Sequence, residues 1–149
     1  MEINNNHIRK YPIGIQSFEN LRREGYLYVD KTALIYRLIT TGKPYFLSRP
    51  RRFGKSLLLS TLKAYFEGKK ELFEGLAIEK LEKQWAVHPV LHLDLNAEKY
   101  DSVERLEMQM NSQLLNWESQ YGCDAKDWTY SIRFMNVIKA AYEQTGQQV

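Results

Sequence analysis

The chain has 149 residues, with 21 basic and 18 acidic side chains and a formal net charge of +3. That length suits one globular domain, the 44% of apolar residues suit a buried core, and so slight a basic excess does not by itself mark a nucleic-acid binder. A single cysteine, Cys123, excludes an intrachain disulfide and a cysteine-built metal site, and no apolar run reaches signal-peptide or membrane-spanning character. A soluble protein in a reducing cytoplasm, with no membrane partner, is the expectation.

Residues 1–10 read as a flexible polar start. A short helix is predicted from Ser17 through Arg23, stopped by Gly25, and then a brief aromatic and β-branched stretch from Tyr26 to Val29. Asp30 is a good N-cap for a helix from Lys31 to Thr41, with Leu34, Ile35 and Leu38 on one face and Gly42 past its end. Pro44 opens an apolar run, Tyr45 to Ser48, with too little alternation for a half-exposed strand; it reads as a parallel strand buried on both faces. A helix follows from Gly54 to about Gly68, with Leu58, Leu59, Leu62, Tyr65 and Phe66 on one broad face.

Glu71 to Trp85 is amphipathic but broken by Gly75, which predicts a turn around Leu72 and Phe73 and a weak helix from about Glu79. Pro89 introduces a second apolar strand, Val90 to Leu95. The clearest helix lies between Asp101 and Tyr121, where Val103, Leu106, Met110, Leu114, Trp117 and Tyr121 recur at three- and four-residue steps. A last helix is predicted from about Ser131 to Gln144, with Ile132, Met135, Ile138 and Tyr142 facing inward and Gly146 as its stop. The order strand, helix, strand, helix, helix predicts an α/β fold, and since two strands do not make an adequate sheet, the chain reads as the first part of a domain continuing past Val149. No linker rich in Gly, Ser or Pro divides it.

The chemistry concentrates in Ser48-Arg49-Pro50-Arg51-Arg52-Phe53-Gly54-Lys55-Ser56. A strand, a glycine-bearing loop and a Gly-Lys-Ser opening a helix is the order of parts in a P-loop, in which loop and helix-start amides point at phosphates. Lys55 would reach the β- and γ-phosphates and the Ser56 hydroxyl would ligate Mg²⁺. Only half the motif is present, because Arg49 stands where the first glycine belongs; a basic surface turn capping an ordinary helix is the alternative. Arg49, Arg51, Arg52 and Lys55 crowd into seven positions with no acidic residue among them, so they need an anionic partner or open water.

Two further groups carry weaker signals. Val90-Leu91-His92-Leu93-Asp94 has the look of a Walker B strand, whose terminal acid would hold the Mg²⁺ shell, against an Asp94 that merely ends a strand. His88, His92 and Asp94 share one side of an extended strand, so that a metal site there competes with ordinary surface or packing histidines.

Pro12-Ile13-Gly14-Ile15-Gln16-Ser17-Phe18, Tyr28-Val29-Asp30-Lys31-Thr32, Arg49 through Ser56, Leu72-Phe73-Glu74-Gly75-Leu76 and Pro89 through Asp94 together resemble the bacterial AAA-ATPase-like family, from Tyr11 onward. The resemblance implies an AAA-like three-layer P-loop NTPase fold, of which residues 1–149 would be an incomplete N-terminal portion. Members often carry a PD-(D/E)XK nuclease-like region at the C-terminus, of which no motif is present here. An arginine in place of the first P-loop glycine is usual in the family, which makes Arg49 expected. The resemblance also implies that the Walker B Asp-Glu pair follows directly after Tyr142-Glu143-Gln144-Thr145-Gly146, past the end of this chain, and that Asp94 is not the Mg²⁺ carboxylate.

The resulting expectation is an ATP-binding, Mg²⁺-dependent domain whose phosphate site comprises Arg49, Pro50, Arg51, Arg52, Phe53, Gly54, Lys55, Ser56 and Leu57. Hydrolysis would require residues beyond the chain, and no catalytic carboxylate is assigned. The competing expectations are a basic module binding DNA or RNA backbone, with Tyr45 and Phe53 stacking on bases, and an interaction domain with a vestigial loop. One loop guanidinium acting as an arginine finger, in cis or toward a neighbouring subunit, stands against plain solvated charge.

Overall fold

The computed structural model describes residues 10–95, 101–124 and 128–149. They form two compact units, Met1–Ala86 and Val87–Val149, with the division falling at a point that composition does not mark. Of the expected polar start, only Lys10 lies within the described residues.

The first unit is built from α1 (Phe18–Arg23), α2 (Thr32–Thr40), α3 (Lys55–Phe66), a 3-10 turn at Lys70–Phe73 and α4 (Ala77–Leu81). The Ser17 hydroxyl caps α1 by accepting from the Asn20 amide at 3.2 Å, as a serine ahead of a helix does. The core joins Phe18, Ala64, Leu72, Phe73, Leu76 and Ile78, with Tyr28, Tyr36, Leu57, Tyr65 and Trp85 packed around it. Thr61 and Ala64, not the leucines, are the buried residues of α3, and the Phe18 amide donates to Ser60 Oγ at 2.6 Å. The fully buried residues of α3 are therefore small or polar, with Leu57 and Tyr65 packed beside them. Leu59, expected inside, is exposed.

Asp30, expected as the N-cap of α2, lies one residue before the actual N-cap Lys31 and serves two helix starts. Its Oδ1 accepts from the Thr32 amide at 2.8 Å and the Thr32 hydroxyl at 2.6 Å, while its Oδ2 accepts from the Ala77 amide at 2.7 Å. Thr32, fully buried, in turn accepts from the Ile78 amide at 3.1 Å. Two helix starts are thus satisfied by one carboxylate and one hydroxyl. Burial works to raise the Asp30 pKa, but the donations from Thr32 and Ala77 and the nearby Arg22 charge outweigh it and hold it below the ordinary aspartate value.

The second unit is a helical hairpin of α5 (Val103–Tyr121) and α6 (Tyr130–Thr145). Ser102 caps α5 at its start, and Gly122, at φ +65°, ends it in the left-handed conformation that glycine tolerates best. Leu114, Trp117, Tyr121, Val137 and Ala141 form the core, with Leu91 packed against it. Within it Arg133 Nε and NH2 donate to the two Glu118 carboxylate oxygens, each at 2.7 Å, and Arg133 NH1 donates to Asn111 Oδ1 at 2.6 Å. The hydrogen bonds to Glu118, against the pull of burial, raise the Arg133 pKa above its ordinary value.

This interior ion pair corrects the expected face of α6. The buried stripe is Arg133, Val137 and Ala141, one position round from the expected Ile132, Met135, Ile138 and Tyr142, all of which are exposed, Met135 to 68%. Periodicity chose the more apolar side, whereas the bidentate partner on α5 turned the arginine inward.

The larger correction concerns the fold class. Among the described residues there is no strand and no sheet; the structure is all-helical, not an α/β three-layer P-loop fold. Neither Tyr45–Ser48 nor Val90–Leu95 forms a ladder with any described residue. Apolar runs of this kind supply strand propensity, but a strand exists only through bonds to neighbouring strands, and two short runs fall below what a stable sheet needs. Phe46, expected to be buried on both faces, is 94% exposed.

Candidate functional site

The candidate loop precedes α3 and its backbone is set by two left-handed residues, Arg52 at φ +66° and Gly54 at φ +76°. Glycine takes that conformation freely; an arginine does not, and Arg52 is held there at a cost of about 1–2 kcal/mol. The turn at residues 51–54 delivers the chain into α3 with Gly54 as its N-cap residue and no side chain capping the helix. The Leu58 amide donates to the Gly54 carbonyl at 2.9 Å. The amides of Lys55, Ser56 and Leu57, one turn earlier, have no protein acceptor among the described residues. Three converging N–H donors with the positive end of a twelve-residue helix behind them favour an anion.

Lys55 curls back over the loop. Its Nζ donates to the Arg49 carbonyl and, at 3.4 Å, to the Pro50 carbonyl. The ammonium is thus held by the backbone of Arg49, where the motif departs from the glycine-rich pattern, and of its neighbour Pro50. Ser56 is exposed, Lys55 and Leu57 are half-buried, and Arg49, Pro50, Arg51, Arg52 and Phe53 are exposed. None of the three arginines takes part in an ion pair among the described residues. The structure thus brings together, in one turn and one helix start, free amides, an ammonium and a hydroxyl.

The other candidate residues, His88, His92 and Asp94, belong to the second unit. Asp94 is exposed in the second unit. His88 is engaged through Nδ1 with the Gln148 carbonyl at 3.0 Å. Among the described residues, no group of three or more His, Cys, Asp or Glu side chains is placed to hold a metal ion, so His88, His92 and Asp94 do not form the metal cluster their spacing allows. Cys123 is half-buried, and burial, with the charges of Glu118 and Asp124, raises its thiol pKa. No helix among the described residues is long and apolar enough to cross a membrane.

Motif reading missed the two carbonyls that hold Lys55, because backbone acceptors carry no side-chain signature. It also missed the double role of Asp30; the signal available was its place two residues before Thr32, but the partner helix start at Ala77 lies 47 positions on.

A glycine-terminated loop feeding an uncapped helix that begins Lys-Ser defines a candidate phosphate-binding site. The chain belongs to the predicted AAA-ATPase family, whose model matches residues 12–149. It is also 38% identical over 142 residues to a protein of Azotobacter chroococcum mcd 1 named "Uncharacterized protein in vnfD 5'region". That match takes in 95% of this chain and 28% of the relative, so the chain spans little more than a quarter of the relative's length. No solved structure matches the chain.

Proposed function

We propose that residues 49–57 bind the phosphates of ATP, with Mg²⁺ as the accompanying ion. The observation that carries the proposal is the uncapped start of α3, where the Lys55, Ser56 and Leu57 amides lack a protein acceptor among the described residues and the Lys55 ammonium is folded over the same turn. Membership of a family described as predicted AAA-ATPases supports ATP as the nucleotide. Lys55 would exchange its carbonyl partners for β- and γ-phosphate oxygens, and the amides would take the remaining phosphate charge. Mg²⁺, when bound, neutralises phosphate charge and orients the chain of phosphates; the exposed Ser56 hydroxyl suits it as an oxygen ligand. Hydrolysis needs in addition a metal-holding carboxylate and an oriented water, and we propose it only for a protein of the relative's full length.

Calorimetric titration of the chain with ATP and with GTP, each with and without Mg²⁺, tests the proposal beside Lys55→Ala. Mg²⁺-dependent ATP binding that weakens at least about tenfold in Lys55→Ala is expected, since a charge-assisted phosphate contact contributes about 1.5–3 kcal/mol. Equal affinity in wild type and Lys55→Ala, or no binding of either nucleotide, would overturn it.

A further inference from the structure

From Lys31 to Phe66 the chain runs through 36 residues without a single Asp or Glu while carrying eight cations: Lys31, Arg37, Lys43, Arg49, Arg51, Arg52, Lys55 and Lys63. The first unit holds 16 basic against 9 acidic residues over Met1–Ala86, so the nearly neutral total conceals a basic half. Of the eight cations, only Lys63 takes part in an ion pair among the described residues, with Glu67 at 3.7 Å. Lys31, Arg37, Lys43, Arg49, Arg51 and Arg52 are all exposed. Such a charge run is far more than one triphosphate neutralises.

In the middle of it, residues 42–50 carry neither helix nor ladder. There Tyr45 and Phe46 are exposed to 52% and 94%, and Phe53, beyond the arginines, to 63%. Cations alternating with bare aromatic rings on irregular backbone match a polyanion that also has flat apolar faces. Single-stranded nucleic acid is that polymer, its phosphates meeting the cations and its unstacked bases meeting the rings. A membrane surface would instead call for a basic amphipathic helix, and an acidic polypeptide offers nothing to stack.

We infer that the segment from Arg37 to Phe53 is a binding surface for single-stranded nucleic acid, with Lys43 and the arginines on the backbone and Phe46 as the principal stacking ring. The surface shares Arg49, Arg51, Arg52 and Phe53 with the loop assigned to ATP, but the inference does not rest on the nucleotide proposal, since Lys43 and Phe46 lie outside that loop.

The test is fluorescence anisotropy of labelled 20-nucleotide oligo-dT and oligo-rU, and of a 20-base-pair duplex, titrated with the full chain without nucleotide at several salt concentrations. Binding to the single strands should fall steeply with salt, with a log–log slope of about −3.5 if the five cations of the segment each neutralise one phosphate. Lys43→Ala should reduce that slope by about 0.7. Phe46→Ala should weaken binding about 5- to 100-fold at every salt with the slope unchanged. Tighter binding to oligo-dT or to oligo-rU supports the inference and identifies the sugar. Duplex binding as tight as single-strand binding, equal capture of poly-glutamate, or a Phe46→Ala variant that binds like wild type would overturn it. Phe46 contributes little to packing, so far-UV circular dichroism should show this variant folded, and Phe46→Trp should retain binding. Lys55→Ala, outside the segment, tells the two proposals apart: it should weaken ATP binding at least about tenfold while leaving oligonucleotide affinity within about threefold.

Discussion

Replacing Asp30 should loosen two helices at once, although the residue is exposed and precedes only one of them. Asp30→Ala removes the acceptor for the Thr32 amide and hydroxyl and for the Ala77 amide. Loss of an N-terminal acceptor costs about 0.5–2 kcal/mol per helix, so with α4 short and its share at the low end the total should come to about 1–2.5 kcal/mol. Asp30→Asn keeps an oxygen for Thr32 but turns an amide donor toward the Ala77 N–H, which should cost about 1–2 kcal/mol. Thr32→Val, nearly isosteric, leaves the Ile78 N–H buried without its acceptor and should cost about 1–3 kcal/mol. Trp85 packs on the core of this unit, whereas Trp117 belongs to the other, so urea titration followed by 5-fluorotryptophan resonances reads the two units separately. The Trp85 transition should move to lower urea and the Trp117 transition should stay. The Asp30 pKa is lowered in the folded state, so its contribution is fully present above the unfolded value near 4 and is lost as pH falls through the lower folded value. The stability gap between wild type and Asp30→Ala should therefore shrink only in that acid window. A Trp85 transition in Asp30→Ala within about 0.5 kcal/mol of wild type at neutral pH would refute the double-cap argument.

Two further substitutions probe the remaining structural devices. Arg133→Met strands the Glu118 carboxylate in the α5–α6 core and should cost about 3–5 kcal/mol by urea unfolding read at Trp117, whereas the double change Arg133→Met with Glu118→Leu should recover most of it; an additive double mutant would show that the pair is not coupled. Arg52→Gly should raise the midpoint of the Trp85 transition by relieving the positive φ, a gain of up to about 1 kcal/mol, and an unchanged or lower midpoint would show that Arg52 is not strained.

What could be read from the residues alone follows from the range of the forces involved. Helix starts and stops are decided within a turn or two of chain, so Ser17, Gly122 and Gly146 marked their helix ends correctly, and Asp30 marked the start of α2 to within one residue, the N-cap being Lys31. The Lys55-Ser56 helix start was legible for the same reason: glycine in a left-handed conformation, followed by uncommitted amides, is a local arrangement. Faces were less legible, because they depend on what lies opposite. Thr61 and Ala64 displaced leucines on α3, and Arg133 displaced Met135 on α6 where Glu118 offers a bidentate acceptor.

The strands failed for a deeper reason. Tyr45–Ser48 and Val90–Leu95 have the composition of strands, yet every bond that makes a strand belongs equally to its neighbour, so composition alone states only half of the requirement. The same incompleteness bears on the loop. Its amides and lysine are positioned by Gly54 and by the Arg49 and Pro50 carbonyls without help from a sheet, so the proposed phosphate affinity should be separable from strand pairing. A loop that binds phosphate weakly in Gly54→Ala, where φ +76° would strain any side chain, and normally in a variant of Leu47, would place its organisation in the turn itself rather than in the run that leads to it.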